Sequence, residues 1–160
     1  MHIDPLEKKW MVVIGFMTVV MVGSMTYAAI MLNLNPPSNP ETIDPKTLHL
    51  SGEFTEDNLG VQTNPDGSLT VRMIAARYAF YPMEIEVPVD TQVTFRITTP
   101  DVLHGVHVPF TNMSTMIVPG YVSEVTTTFK REGEATFLCN EYCGLGHDYM
   151  WSKLRVVPKA

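Results

Sequence analysis

The longest apolar stretch of this chain runs from Trp10 to Asn33 and contains no charged residue over twenty-four positions. At about 1.5 Å per residue, a helix of that length is about 36 Å long, which exceeds the bilayer core of about 30 Å. A cleaved signal peptide is the alternative, but its apolar part is only about 7–15 residues. The pattern therefore predicts an uncleaved transmembrane helix over residues 10–34.

The charges around this stretch predict its orientation. Lys8 and Lys9 precede it, and no Lys or Arg follows until Lys46. Because positively charged flanks stay on the cytoplasmic side, residues 1–9 are expected in the cytoplasm. The rest of the chain would then be exported, as in a single-pass protein of the cell membrane with an extracytoplasmic domain.

Residues 35–48 are rich in proline, with Pro36, Pro37, Pro40 and Pro45. Closely spaced prolines favour a stiff, extended chain. This segment is therefore expected to be a linker between the membrane helix and the exported domain.

A domain is predicted over residues 49–160, where short runs rich in β-branched and aromatic residues alternate with Gly and Pro turn signals. Apolar side chains alternate at Val93, Phe95 and Ile97, as expected of a strand with one buried face. Seven short strands at this spacing predict an all-β domain, a Greek-key β-sandwich. The predicted strands are Leu69–Ala76, Met83–Val87, Thr91–Thr98, Ser114–Val118, Val122–Phe129, Glu134–Cys139 and Ser152–Val157.

The composition adds one observation, which is the negative charge of the predicted exported part. Beyond the apolar stretch, nine Lys and Arg stand against fifteen Asp and Glu, a net charge of −6. An acidic surface can steer a basic protein partner toward it, and no nucleic-acid partner is expected. The sequence contains no phosphate-binding glycine loop and no Ser-His-Asp arrangement.

Four soft metal ligands fall within twelve residues near the C-terminus: Cys139, Cys143, His147 and Met150. Thiolate, imidazole and thioether together are typical of copper. Cys143, His147 and Met150 match the local part of a mononuclear blue-copper site, so Cys139 needs a separate explanation. A second thiolate four positions earlier lets both sulfurs bridge two metal ions.

Two other interpretations of this spacing are open. A Cys139–Cys143 disulfide is compatible with an oxidising compartment, but a bridge that closes so small a loop restricts the unfolded chain little and leaves His147 and Met150 without a role. Zinc accepts two cysteines and two histidines, but Met150 and the missing Cys-x-x-Cys spacing count against it.

Together with Leu103-His104 upstream, the stretch from Cys139 to Met150 fills every position of the pattern Cys-x-[Glu/Gln]-x-Cys-Gly-x-x-His-x-x-Met. It thereby resembles the CuA centre of subunit II of haem-copper cytochrome c oxidases, and the single membrane helix is most similar to the B-type oxidases. The resemblance implies a cupredoxin-like fold and a binuclear copper centre. By this resemblance Cys139 and Cys143 bridge both ions, His104 and Met150 complete one, and His147 with the backbone carbonyl of Glu141 completes the other.

The same resemblance implies an electron-transfer subunit. Electrons would pass from cytochrome c, or another small donor, through the copper pair to haem in subunit I, where oxygen is reduced to water. Since the protein fills every coordination position in this ligand set, the chain alone is expected to carry electrons without reducing oxygen. It would act as an enzyme only as a subunit of the oxidoreductase and translocase.

The sequence predicts the roles of two acidic residues of the loop and of one further histidine less specifically. By the resemblance, the Glu141 carboxylate binds Mg²⁺ at the junction with subunit I; a solvated acid is the alternative. Asp148 either accepts a hydrogen bond from a ligand imidazole or is an exposed acid. His107 lies three positions from His104, and such positions face opposite sides of a strand, so His107 is expected beside the centre or at an interface.

Many members of this family have a tryptophan-rich stretch through which electrons reach the copper. The corresponding region here contains Tyr78, Phe80 and Tyr81 and no Trp. These three aromatic residues are therefore the candidates for the place where electrons arrive.

Two other functions remain open from the sequence. One is a CuA domain that serves a nitric oxide or nitrous oxide reductase system, because its ligand set would be identical. The other is a membrane-anchored protein that binds or delivers copper without transferring electrons.

Overall fold

The computed structural model describes residues 4–31 and 41–159. Residues 32–34 of the predicted membrane span and residues 35–40 of the predicted linker lie outside these ranges. The described residues contain one α-helix at the N-terminal end and a β domain.

Helix α1 (Pro5–Met31) begins at Pro5 rather than at the predicted Trp10. The Asp4 side chain caps it by accepting a hydrogen bond from the Leu6 N–H, 2.7 Å away, and proline suits the first helical position. Among the described residues, α1 is the one helix long and apolar enough to cross a membrane.

The domain contains eleven strands within residues 41–159, and all seven predicted strands are among them with ends shifted by no more than one residue. The strands are β1 (Glu41–Thr42), β2 (Gly60–Thr63), β3 (Leu69–Ala76), β4 (Ala79–Tyr81), β5 (Glu84–Pro88), β6 (Gln92–Thr98), β7 (His104–His107), β8 (Ser114–Ile117), β9 (Tyr121–Thr128), β10 (Gly133–Leu138) and β11 (Trp151–Val157). The 3₁₀ helices are Pro45–Leu50, Glu56–Asn58 and His147–Tyr149.

Two sheets form the domain. The first has the order β1-β9-β6-β3-β2, with β4 also paired to β3, and the second has the order β5-β11-β10-β7-β8. Strand β3 runs parallel to β6, and β5 runs parallel to β11. The described residues therefore confirm the predicted all-β architecture with one N-terminal apolar helix.

The hydrophobic core lies between the two sheets. Strand β3 buries every second side chain, including Val71. Phe95 of the first sheet meets Phe137 of the second edge-on, with ring centroids 5.5 Å apart, a favourable geometry for aromatic pairs. The same cluster of buried side chains extends to Cys139 and Cys143, so the candidate metal ligands are packed onto the core.

Four short strands were missed by the sequence prediction: β1, β2, β4 and β7. Each has two to four residues, too few for alternation to distinguish a strand from a loop. Strand β7 is held by antiparallel pairing with β8 over all four residues. Pairing with a neighbour rather than local propensity therefore makes it a strand.

Residues 41–48 are part of the folded domain, whereas the sequence predicted an extended linker up to residue 48. Strand β1 pairs with β9, and the 3₁₀ helix that follows buries Leu48. Leu48 packs with Phe54 and Val122 in a second hydrophobic cluster. Proline content indicated an extended chain, but strand pairing and the burial of Leu48 hold this part of it on the sheet.

Arg96 fastens the same segment to the first sheet. Its guanidinium lies 2.6 Å from Glu53, 2.6 Å from Glu41 and 2.7 Å from Glu124. Arg72 adds a contact of 3.2 Å to Glu53. The hydrogen bond from Arg96 lowers the pKa of Glu53 and outweighs the opposing effect of partial burial.

We expect Glu53→Gln to lower the free energy of unfolding by about 1–3 kcal/mol, because two arginines lose a charged acceptor. Since the pKa of Glu53 is lowered in the folded state, its stabilisation is complete above the ordinary glutamate range. That stabilisation is lost as the pH falls through this range toward the lowered folded value. Urea unfolding of the full chain in detergent, at about pH 7 and about pH 4, measures both effects.

Lys130→Met is the matched control, because the pair between Lys130 and Asp90 is exposed on both sides and such pairs contribute little. Equal destabilisation by the two substitutions would contradict a special role for the contacts of Glu53.

Candidate metal centre

The loop between β10 and β11, residues 139–150, carries most of the candidate ligands. Its two ends are joined by a backbone hydrogen bond from the Cys139 N–H to the Met150 carbonyl, 3.1 Å long. Within the loop, the 3₁₀ turn His147–Tyr149 returns the chain toward Cys143. Because β10 pairs with both β11 and β7, the loop is fixed beside the strand that carries His104.

The two sulfurs occupy the middle of a cluster of donor atoms. Cys139 Sγ and Cys143 Sγ are 3.9 Å apart. His104 Nδ1 lies 3.9 Å from Cys139 Sγ, and His147 Nδ1 lies 3.6 Å from Cys143 Sγ. The ligand atoms of His104, Cys139 and Cys143 all lie within 4.8 Å of one another.

Two further donors complete the set. Met150 Sδ is 3.6 Å from Cys143 Sγ. The carbonyl oxygen of Glu141 is 3.3 Å from Cys139 Sγ, which donates to it. All six predicted ligands therefore lie in one cluster, arranged around the two sulfurs.

The donor set fits copper. Donors held tetrahedrally at about 2.0–2.3 Å from one ion are about 3.3–3.8 Å apart, close to the observed separations of 3.3–3.9 Å. Two thiols, two imidazoles and a thioether are the ligands that copper prefers. A single tetrahedral zinc ion would use four donors and leave the thioether and the carbonyl without a role.

The two cysteines are free thiols. Their sulfurs are separated by 3.9 Å, far more than the S–S bond of about 2.05 Å. Burial raises the pKa of the Cys143 thiol to about 11, and the neighbouring Cys139 adds to the rise. The Cys143 thiol of the metal-free chain is therefore protonated near neutral pH, and metal binding must displace its proton.

Asp101 orients the buried His104, whose side chain has no solvent exposure. The Asp101 carboxylate lies 2.9 Å from His104 Nε2. A proton on Nε2 leaves Nδ1 free to bind a metal. Burial alone would raise the pKa of Asp101, but hydrogen bonds from the Arg77 N–H, His104, the Val102 N–H and Thr99 hold that pKa well below its usual range.

This contact was missed by sequence reasoning, which considered Asp148 for the same task. Asp148 is exposed, and the described contacts include none between it and a ligand imidazole. The acid three residues before His104 was visible in the sequence, but no periodicity shows that the turn before β7 bends Asp101 back onto the imidazole.

His107 lies at the other end of β7, paired with Ser114 and Leu138. It is half-buried and lies outside the group formed by His104 and the two thiols. This placement agrees with the expectation that the two imidazoles do not share one centre.

Gly105 allows the ligand loop to approach β7 closely. A methyl group at Gly105 would lie 2.9 Å from Glu141 Cγ and still closer to Asn140 Oδ1. Only glycine leaves this space without moving both side chains. The backbone of Gly105 thus helps to set the position of the segment that presents the Glu141 carbonyl.

The three aromatic candidates have different surroundings. Phe80 is fully buried in the core, whereas Tyr78 and Tyr81 are 39% and 47% exposed. Tyr78 lies against Gly144 and Gly146 of the ligand loop. Phe80 is therefore a packing residue, and only the two tyrosines reach the surface.

The outer side of the ligand loop is apolar, a property that sequence reasoning did not single out. Tyr142, Leu145 and Tyr149 are 74%, 93% and 76% exposed. The Tyr142 ring lies 5.8 Å from the His147 ring, centroid to centroid. Of these three side chains, Tyr142 therefore lies directly beside a candidate ligand.

Known proteins share both the sequence and the fold. The family described as cytochrome c oxidase subunit II, periplasmic domain, matches residues 70–157. The chain is 38% identical over 153 residues to a cytochrome c oxidase subunit 2 of Thermus thermophilus. The aligned region covers 94% of this chain and 90% of the relative. The chain is 42% identical over 122 residues to a second cytochrome c oxidase subunit 2 of the same species, covering 76% and 90%.

Two solved structures are similar to the chain. A heme-copper terminal oxidase dimer, determined by cryo-EM, contains a chain with a TM-score of 0.76 and 26% identity, covering 95% of this chain and 99% of that one. The periplasmic domain of subunit II of cytochrome oxidase from Bradyrhizobium japonicum has a TM-score of 0.52 at 21% identity, covering 56% and 83%, and bears on the fold alone. The predicted cupredoxin-like sandwich is confirmed.

We expect Asp101→Ala to weaken copper retention about 10–100-fold, because the buried imidazole of His104 loses the acceptor that orients it. The free energy of unfolding of the metal-free chain should fall by about 1–3 kcal/mol, since a buried N–H loses its partner. Copper transfer to a chelator and urea unfolding measure the two effects. Asp148→Ala is the control and should leave copper retention unchanged; equal losses in the two variants would contradict the assignment of Asp101.

Proposed function

The chain belongs to the cytochrome c oxidase subunit II family, and from this premise we propose that it is the electron-transfer subunit of a haem-copper oxidase with a binuclear copper centre of the CuA type. The observation that carries the proposal is the convergence of four further donors on two sulfurs that lie 3.9 Å apart. A mononuclear electron-transfer site requires only one thiolate. The second one, also buried in the loop, is accounted for by bridging.

The proposed ligand assignment is the one that the resemblance to the CuA centre implies. When bound, the copper pair takes up and releases single electrons. Both sulfurs would hold the two ions, and each imidazole lies beside one sulfur. The assignment gives His104 and Met150 to one ion, His147 and the carbonyl of Glu141 to the other, and Cys139 and Cys143 to both.

The protein's own contribution is to hold these donors in place and away from water. His104 has no solvent exposure, and Cys143 and Met150 are 5% and 2% exposed. Both ends of the loop are joined to each other by a hydrogen bond. A ligand set that is fixed before electrons arrive changes little in geometry during transfer, and it leaves no coordination position for oxygen. Oxygen reduction is therefore proposed for a partner subunit.

The proposed partners are the membrane, a haem-bearing subunit I and an electron donor. Helix α1 is the membrane anchor, and the positive charges of Lys8 and Lys9 favour a cytoplasmic N-terminus with the copper domain outside. The donor is a cytochrome c or another small carrier, and the net charge of −6 beyond the helix suits a basic one. Tyr78 and Tyr81 are the candidates for the surface at which electrons arrive.

A magnesium ion shared with subunit I is a further part of the proposal. Glu141 is half-buried, and its backbone carbonyl already faces the sulfur cluster. A carboxylate on the same residue is a ligand type that Mg²⁺ prefers. The remaining ligands would come from subunit I.

We expect the wild-type chain to bind two copper ions and Cys139→Ser to bind one. Cys143, His147, Met150 and His104 still supply a complete mononuclear set, so a single copper should remain. Elemental analysis gives the stoichiometry. Electron paramagnetic resonance should show an electron shared between two copper nuclei only in the wild type.

Asn140→Ser is the matched control for this substitution, because it introduces the same side chain at the next position of the loop without removing a ligand. It should keep both ions. Two copper ions retained in Cys139→Ser would show that this sulfur is not a bridge.

We expect an oxygen-reducing haem protein to co-purify with the tagged full chain from mild detergent. The haem spectrum and oxygen consumption of the complex identify it. Recovery of a haem protein that reduces nitric oxide instead would favour the other reductase assignment. Recovery of a single copper(I) per chain, with neither a haem partner nor the shared-electron signal, would favour copper delivery.

A further inference from the structure

The hairpin of β3 and β4 ends in a two-residue turn, Arg77–Tyr78, that contacts both sides of the metal centre. We propose that this turn is a positioning element: the Tyr78 ring holds the ligand loop, and Arg77 holds the His104 imidazole through Asp101. The inference rests on the function proposed above, because it gives the turn a role toward the same centre.

The first contact is between the Tyr78 ring and the backbone of two glycines. A methyl group at Gly146 would lie 2.6 Å from Cδ2 and 2.7 Å from Cγ of Tyr78. A methyl group at Gly144 would lie 2.7 Å from the Tyr78 hydroxyl oxygen. These distances are too short for any side chain larger than glycine, so the ring lies directly on the loop backbone.

The two glycines that contact Tyr78 lie between two candidate ligands. Gly144 and Gly146 lie between Cys143 and His147, which are separated by 3.6 Å from Sγ to Nδ1. Glycine has the widest backbone freedom, and Gly144 has a φ of +131°. Leu145 between them is 93% exposed and does not anchor the loop. The Tyr78 ring therefore limits how far this thiol and this imidazole can move relative to each other.

The second contact leads to the other imidazole. The Arg77 N–H donates to Asp101 Oδ2 at 2.9 Å, and Arg77 Nε lies 3.2 Å from the same oxygen. The other carboxylate oxygen, Oδ1, lies 2.9 Å from His104 Nε2. Arg77 thus fixes one side of the carboxylate while the ligand imidazole uses the other.

One hairpin makes both contacts, and its own position is fixed by the core. Ala76 pairs with Ala79 on either side of the turn, and Ala75 and Phe80 have no solvent exposure. The hairpin belongs to the first sheet, whereas the candidate ligands lie on the second sheet and its loop. The turn therefore connects the metal centre to the opposite half of the sandwich.

A positioning role differs from a role as the surface where electrons arrive. Loss of an arrival surface would slow electron uptake and leave the centre itself unchanged. Loss of the positioning contact changes the geometry of the ligands, so it changes the spectrum of the centre and the ease with which copper leaves.

The test uses the full chain in detergent, loaded with copper. Tyr78→Ala is expected to change the copper hyperfine pattern and to speed copper transfer to a chelator about 10-fold or more. Tyr78→Phe should keep both readouts near wild-type values, because the ring atoms that lie against Gly146 and Gly144 remain. Tyr81→Ala is the matched control: it removes a tyrosine of similar exposure from the same hairpin and should leave both readouts unchanged.

A second substitution tests the contact from the side of the loop. Gly146 has a φ of −100°, which alanine adopts without strain, so Gly146→Ala acts through its collision with Tyr78. It should also speed copper loss when Tyr78 is present. In the Tyr78→Ala background the added methyl group has space, and we expect no additional loss.

The possible outcomes distinguish a failure of the inference about the turn from a failure of the proposed function. A wild-type hyperfine pattern and wild-type copper retention in Tyr78→Ala would overturn the inference, as would an equal effect of Gly146→Ala in both backgrounds. If Tyr78→Ala does not fold, unchanged copper retention in Gly146→Ala alone overturns it. A wild-type chain without two copper ions would instead overturn the proposed function, and the inference with it.

Discussion

The close approach of two buried thiols is the constraint on which the rest of this structure depends. Cys139 and Cys143 are only four residues apart, and their sulfurs lie 3.9 Å from each other. Such a pair can form only where the chain turns sharply, and the hydrogen bond that joins Cys139 to Met150 closes the loop that makes this turn. Both cysteines are part of the main hydrophobic core. The packing that stabilises the domain therefore also holds the two sulfurs in place.

Each remaining ligand is brought to the sulfurs by a different structural device. His147 is carried by a 3₁₀ turn, and Met150 lies at the end of that turn, just before β11. His104 is carried by a short strand that is held by pairing with β8 and β10. Glycine appears where a side chain lies directly against the backbone: Asn140 and Glu141 lie against Gly105, and Tyr78 lies against Gly146. Charged side chains act on the ligands indirectly: Arg77 contacts Asp101, and Asp101 contacts the buried imidazole of His104.

The same domain is fastened to its N-terminal segment by a separate set of contacts. Leu48 and Phe54 bury themselves on the first sheet, and Arg96 gathers three carboxylates around the start of the domain. These contacts lie on strands β1, β6 and β9 and their connections, whereas the metal ligands lie on the second sheet and its loop. The two regions therefore have separate hydrophobic clusters and separate polar contacts.

The sequence by itself determined the apolar helix and the seven longer strands, and it predicted four candidate ligands in one loop, because hydrophobic period and ligand spacing are local properties of the chain. His104 and the Glu141 carbonyl were added to these candidates by family resemblance. The sequence did not determine strands as short as β7, the burial of Leu48, or the choice of Asp101 over Asp148, and it placed Phe80 with the surface aromatics although that ring is in the core. Only the tertiary structure decided these points. Each depends on which strand or turn lies next to a residue in space, and contacts between positions distant along the chain leave no period in the sequence.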